Sequence, residues 1–184
     1  MEVNDFKPVV YSQTTITELM IPSYANFGGK IHGGILLSLM DKVAYVCAAK
    51  HAGSYCVTVS VENVDFLQPV EVGELVSLHA SVNYVGNTSL VIGIKVISEN
   101  VTSAIVTHTN TSYFTMVSKG MDNKPRVVPG LILESREEVR RYLEAIKRKE
   151  LKGMYKDELN NQKSNLAIET EIYKLEHERC VVKI

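Results

Sequence analysis

The segment 35-ILLSLMDKVAYVCAAK-50 constrains this chain more than any other stretch. Its apolar residues recur on nearly every side of a helix, and Gly53 stands in the usual stop position, so a helix of about four turns is predicted over 35–50. A helix without a broad polar face is a buried one, and something else has to cover it. Asp41 and Lys42 interrupt the pattern. On a helix Asp41 shares its face with Leu37, Ser38, Ala44 and Tyr45, whereas Lys42 points about 100° away and cannot pair with it locally. Either the two residues mark a narrow solvated stripe, or Asp41 is held in the interior for chemistry. In the interior a carboxylate needs hydrogen bonds to offset its lost hydration.

What covers the helix is legible on either side of it. Residues 8–20 are rich in Val, Ile and Thr and read as a first strand, and 22-PSYANFGGKIHGG-34 reads as a loop. After the helix, 56–67 alternates at Val57, Val59 and Val61 and then shifts parity to Val64 and Phe66, a candidate bulge. Residues 75–85, 89–98 and 103–117 follow as strands, joined by turns at Gly86-Asn87 and Glu99-Asn100, which indicates an antiparallel meander. The order strand, buried helix, four strands predicts an α+β fold in which an antiparallel sheet wraps a central helix. One such sheet cannot cover the helix on all sides, so a second copy of the chain is expected to complete the burial as a dimer.

A chain of 184 residues with 45% hydrophobic and 22% charged residues has material for one ordinary core plus an appendage. The boundaries expected are 8–123 for the domain and 124–184 for a linker and charged C-terminal helical extension. Within the extension, 134–152 pairs Glu with Arg and Lys at helical spacing around Val139, Leu143 and Ile146, and the last thirty residues carry only a weak apolar pattern. A net charge of −1 gives no broad surface for nucleic acid. The longest apolar run is broken by Asp41 and Lys42, so no membrane span is expected. Cys47, Cys56 and Cys180 are odd in number and lie far apart, and MEVNDFKPVV has no leader pattern, which together favour reduced thiols in a cytoplasmic protein. His51, His79 and His108 share no ligand spacing with Cys or carboxylates, so no metal site is expected. The sequon-like triplets at Asn87, Asn100 and Asn110 are chance matches in a Thr/Ser-rich β region.

His32-Gly33-Gly34 immediately precedes the predicted helix, so its first N–H groups lie on residues without side-chain cover. Such a terminus can polarise a carbonyl through its unpaired donors and its positive dipole end. Asp41 follows about 10 Å further along the axis, which leaves space for an acyl group and a water between them.

The string N-x-x-G-x-I-H-G-G-x-L-L-x-x-M-D, at Asn26, Gly29, Ile31, His32, Gly33, Gly34, Leu36, Leu37, Met40 and Asp41, resembles the acyl-CoA thioesterases of the hotdog fold. It is similar in particular to the short bacterial enzymes and the cytosolic acyl-CoA hydrolases of animals. The similarity continues through 60-SVENVDFLQPVEVGE-74 and 85-VGNTSLVIGIKV-96, and more weakly to 124-KPRVVP-129, covering about residues 8–130. The resemblance implies a hotdog fold that dimerises into a continuous sheet, with a trimer of dimers, a hexamer, as the larger assembly. It implies hydrolysis of acyl-CoA to fatty acid and CoA without a cofactor, CoA being part of the substrate. Asp41 aligns with the family's catalytic carboxylate, as general base or as nucleophile. Asn26 aligns with an asparagine supplied from the opposite subunit, and Gly34 with the helix-start amide that polarises the thioester carbonyl. His32, Gly33 and Ser60 are placed along the substrate, with loop-shaping hydrogen bonds the preferred role for His32. Asn87, Thr88 and Ser89 are placed on CoA, as are Lys119, Lys124 and Arg126, which suit its phosphates. Asn87 departs from the pattern, standing where many relatives carry Arg.

Two other functions fit the same fold. A non-catalytic acyl-CoA sensor usually carries a DNA-binding module, for which seven residues before the first strand are too few. A hydroxyacyl-thioester dehydratase needs a catalytic His with an acidic partner. Asp41 on the helix argues against it, and His32 keeps it open.

Overall fold

The computed structural model describes residues 6–183. Alternating strands and one apolar helix build a curled antiparallel sheet around that helix. Strand β1 (Phe6–Pro8) leads into β2 (Thr14–Leu19), and the central helix α1 runs from Gly33 to Ala52. Strands β3 (Tyr55–Val61), β4 (Glu74–Val85), β5 (Ser89–Asn100) and β6 (Ile105–Lys119) follow. The main sheet has five strands in the order β2-β4-β5-β6-β3, every neighbouring pair antiparallel. A short strand β7 (Gly130–Ile132) pairs in parallel with β1.

The core fills the space between α1 and the concave face of the sheet. Met40, Val43, Ala44 and Cys47 of α1 are fully buried against Val76 and Leu78 of β4, Leu90 and Ile92 of β5, and Phe114 and Met116 of β6. The helix stops at Gly53, which adopts φ 69° and donates its N–H to the Ala49 carbonyl. Glycine is the residue that takes up this left-handed geometry without steric cost.

Four expectations are corrected by the fold. The strand expected over 8–20 is interrupted, because Val9–Tyr11 form a 3-10 turn and Val9 is buried there. The strand expected over 56–67 ends at Val61, and its bulge lies at Val59, between the pairs Thr58↔Met116 and Ser60↔Thr115. The linker expected from residue 124 gives way at Gly130 to β7, a strand too short for its pattern to register. The charged helix, expected over 134–152, runs as α2 from Arg136 to Ser164.

Central helix α1 is also not covered all round by its own chain. Leu37, Ser38, Asp41, Lys42 and Tyr45 form an exposed stripe, with Leu37 and Tyr45 37% and 41% exposed. Strand β3 borders that stripe as an edge of the sheet, and Tyr55, Val59 and Val61 are exposed on it.

Two compact units divide the chain after Ala145. The first holds both sheets, α1 and the opening turns of α2. The second holds the rest of α2, the short helix α3 (Ile168–Glu171) and a 3-10 stretch over Ile172–His177.

Candidate active site

Asp41 is presented on the open stripe of α1, and the strand beside it supplies its partner. The Thr58 hydroxyl donates to Asp41 Oδ1 at 2.6 Å. It also lies 3.1 Å from Met116 Sδ, but a hydroxyl has one proton and the carboxylate is the stronger acceptor. The bulge at Val59 follows Thr58 immediately, and a bulge bends its strand and re-aims the side chains around it. Asp41 Oδ2 has no hydrogen bond among the described residues and is open to a further ligand. Ser60, two residues on, pairs with Thr115 across the sheet on the far side of the bulge.

At the helix start the first free amide is not the one expected. His32 is the N-cap, and its Nδ1 accepts the Gly34 N–H at 2.8 Å. This fixes the neutral His32 ring with its proton on Nε2. The Gly33 N–H, by contrast, carries no hydrogen bond among the described residues. The Phe66 ring lies against Gly33, 3.2 Å from where a β-carbon would stand. A side chain at 33 would therefore press on the ring that walls the helix terminus and require it to shift by a few tenths of an ångström.

Asn26 sits at the head of a self-closed loop. Its Oδ1 accepts N–H groups from Gly28 and Lys30, at 2.8 and 3.2 Å, and its own N–H donates to the Lys30 carbonyl. The Nδ2 donors remain uncommitted among the described residues. Beside it Phe27 is fully exposed.

Residues expected on CoA gather at the other end of β3. Lys119 and Arg126 line a cleft of about 520 Å³ with Tyr55, Gly120 and Asn123. Lys124 lies in the same loop, and its carbonyl accepts the Gly120 N–H, but its side chain is outside the cleft lining. The Asn87-Thr88-Ser89 turn is tied to this region, since Val128 N–H donates to the Asn87 carbonyl and Ser118 N–H to that of Thr88. Tyr55 stands three residues before Thr58, about 10 Å along the strand. Its ring meets that of Tyr45 at a centroid distance of 6.0 Å, so the stripe that carries Asp41 leads to the cleft.

The two buried cysteines are unsuited to the chemistry. Burial pushes the Cys47 thiol up to about 12 and the Cys56 thiol up to about 11, so neither supplies a thiolate near neutral pH. No group of three or more His, Cys, Asp and Glu among the described residues is arranged to hold a metal ion.

The thioesterase superfamily model matches residues 28–105, a span that contains α1, β3, β4 and β5. Protein VdlD of Helicobacter pylori is 48% identical over 134 residues, 73% of this chain and 76% of that protein. A solved apo-hexameric acyl-CoA thioesterase is 36% identical with a TM-score of 0.79, over 82% of this chain and 96% of that one. The chain belongs to the thioesterase superfamily.

Its sheet wrapped on a central helix is the hotdog fold. Among solved members of the superfamily, the acyl-CoA hydrolase of Staphylococcus aureus, in complex with butyryl coenzyme A, coenzyme A and coenzyme A disulfide, has a TM-score of 0.78 and 28% identity. That alignment covers 87% of this thioesterase-superfamily chain and 98% of the other. The same hydrolase has been solved as single alanine variants of an aspartate, a threonine and an asparagine. In its chain the asparagine precedes the aspartate by 15 residues, and the aspartate precedes the threonine by 17. Asn26, Asp41 and Thr58 stand at the same intervals here. Thr58 is the member of this set that reading the sequence missed. Thr is the ordinary residue of a strand, and only the 17-residue interval to Asp41 could have singled it out.

Proposed function

We propose that the chain is an acyl-CoA thioesterase that hydrolyses acyl-CoA to a carboxylic acid and free CoA. The hydrogen bond from Thr58 to Asp41 on the open stripe carries this reading. It holds one carboxylate oxygen and leaves the other for the reacting water. Asp41 takes a proton from that water as its oxygen attacks the thioester carbonyl. The C–O bond forms, the C–S bond breaks, and CoA leaves with the proton returned to its sulfur. The rise from Gly33 to Asp41, about 12 Å at 1.5 Å per residue, leaves room for a carbonyl and a water between amide and carboxylate. Direct attack by the Asp41 carboxylate on the carbonyl, expelling the CoA thiolate and leaving an anhydride that water then hydrolyses, is the other route this arrangement allows. The Gly33 N–H is the donor ready for the carbonyl oxygen, and Gly34 joins it when the His32 ring turns away. The commitment of His32 to the helix cap weighs against a dehydratase that would use it as base.

Homo-oligomerisation belongs to the same proposal. The exposed Leu37 and Tyr45, the open edge of β3 and the exposed Phe27 describe an apolar surface beside the site that a second copy would cover. Asn26 then acts from the opposite subunit, its free Nδ2 donors holding the water or the thioester. Lys119 and Arg126 receive the CoA phosphates in the cleft they line.

The test is Asp41→Asn, which keeps the shape and the Thr58 contact but removes the basic oxygen. Release of CoA thiol from acyl-CoA is expected to slow by about 100-fold or more, the usual contribution of a general base, with an unchanged circular dichroism spectrum. Full activity in that variant would remove Asp41 from the reaction.

A further inference from the structure

On the thioesterase reading, on which this proposal rests, a bound acyl-CoA has a fixed direction. The cleft lined by Lys119 and Arg126 includes Gly53, Ser54 and Tyr55, so it lies at the C-terminal end of α1. The Gly33 N–H is at the opposite end of the helix, with Asp41 between the two. CoA held in the cleft therefore reaches the thioester from the C-terminal side. The acyl chain, on the other side of the carbonyl carbon, leaves past the N-terminal end of α1.

What stands there is Phe66. Its ring lies against Gly33, with Cζ 3.2 Å and Cε2 3.4 Å from the position of a β-carbon on that residue. The side chain is 46% exposed, so part of it packs on the helix start and the rest is open to an incoming group.

Phe66 belongs to no strand or helix, yet its backbone is tied on both sides. Before it, the Glu62 N–H donates to the Tyr113 carbonyl at 2.9 Å, and the Ser112 hydroxyl donates to the Glu62 carbonyl at 3.4 Å. After it, the Leu67 N–H donates to the Thr109 carbonyl at 3.0 Å. Thr109 is the extra residue of a bulge in β6, between the pairs Val96↔Asn110 and Ile97↔His108. A bulge re-aims the groups around it, and here the Thr109 carbonyl meets the segment that carries the ring. Further on, the Ile31 N–H donates to the Val70 carbonyl at 2.9 Å, which joins the same segment to the residue before the His32 cap. The backbone under Phe66 is thus pinned to β6 and to the start of the helix.

A ring so placed sorts acyl groups by shape. The first carbon beyond the carbonyl has to pass between the Gly33 amide and the ring. A β-carbon on Gly33 would already press on that ring, so the passage suits a methylene and not a branch. We propose that Phe66 sets the substrate class of the site, admitting acyl groups unbranched at the carbon next to the thioester and rejecting α-branched ones.

The test compares butyryl-CoA with isobutyryl-CoA, and decanoyl-CoA with its α-methyl isomer, on the full-length assembled protein. Within each pair the carbon count is equal and only the branch differs. The parent's ratio of kcat/KM is expected to favour the straight chain by about tenfold or more, the usual discrimination carried by one methyl-sized group. Phe66→Ala should bring that ratio to within about threefold of one, chiefly by raising kcat/KM for the branched substrate. Asp41→Asn should slow both members of a pair alike and leave their ratio unchanged. A parent ratio near one, or a parental ratio in Phe66→Ala, overturns the role of Phe66 and leaves hydrolysis at Asp41 in place. An equal loss on both substrates in Phe66→Ala and in Phe66→Leu, which keeps apolar bulk, also overturns it, because the ring would then only support the helix start. So does a changed oligomeric mass in both variants, which would make the open part of the ring a contact between copies. A parent that hydrolyses none of the four substrates overturns the thioesterase reading itself, and the selection with it.

Discussion

Asp41 and Thr58 meet through a 2.6 Å hydrogen bond that joins residues 17 apart on a helix and a strand. A hydrogen bond to a charged group is worth about 1.5–3 kcal/mol, and here it orients the oxygen that faces the water. Thr58→Val keeps the β-branched shape and removes the hydroxyl. Its kcat is expected to fall about 10-fold to 100-fold with KM little changed, the conversion of that energy to a rate. An unchanged kcat would reduce Thr58 to a packing role. Asp41 was legible in the sequence because a carboxylate in an apolar helix is out of place. Thr58 was not, because Thr on a strand is ordinary and the bulge beside it is a matter of pairing. Ser60 was singled out in that strand, on the other side of the bulge. Gly34 was legible as a helix start, but whether its N–H was free depended on where the His32 ring turned.

At the scale of elements, the end of α1 is tied to both strands of the small sheet by one residue. His51 is fully buried in the last turn, its Nε2 donates to the Pro129 carbonyl at 3.0 Å, and its own carbonyl accepts Lys7 Nζ at 2.6 Å. His51 Nδ1 has no partner among the described residues, so the ring is neutral and its second nitrogen is enclosed without a proton. Burial lowers the His51 pKa, the Pro129 carbonyl opposes that shift, and the charge of Lys7 adds to it. A histidine lowered in this way supports the fold above its unfolded pKa of about 6.5, and that support is lost as pH falls below it. Urea midpoints are therefore expected to drop in the parent between about pH 7.5 and about pH 5.5, and to drop less in His51→Leu. Equal drops would place the acid sensitivity elsewhere. None of this junction was readable beforehand. His51 looked like an isolated histidine without ligand spacing, and β7 is three residues long. The long strands were readable, because alternation over ten or more residues is a strong local signal. The split of 8–20 was not, since a buried 3-10 turn at Val9 has the same composition as a strand.

For the whole molecule the deciding feature is the surface that a single chain leaves open. In the function proposed, Asn26 on its self-closed loop and Asp41 on the stripe meet in one site across two chains, in an isologous pairing that yields two equivalent sites. Mixing inactive Asn26→Ala and Asp41→Ala chains should then restore one intact site per heterodimer, up to about a quarter of parental activity after random exchange, since half the dimers carry one of two sites. No recovery after subunit exchange, verified by mass, would assign both residues to the same chain. The sequence by itself determined that an apolar helix is wrapped by an antiparallel meander, and that a carboxylate and a glycine-led helix start lie close along it. These follow from periodicity and local backbone chemistry, which are properties of neighbouring residues. Tertiary structure alone decided that Thr58 reaches Asp41, that His32 occupies the Gly34 amide, and that Phe66 lies against Gly33. Each depends on strand register, on a bulge or on a ring's rotation, and those are set by packing between residues far apart in the chain.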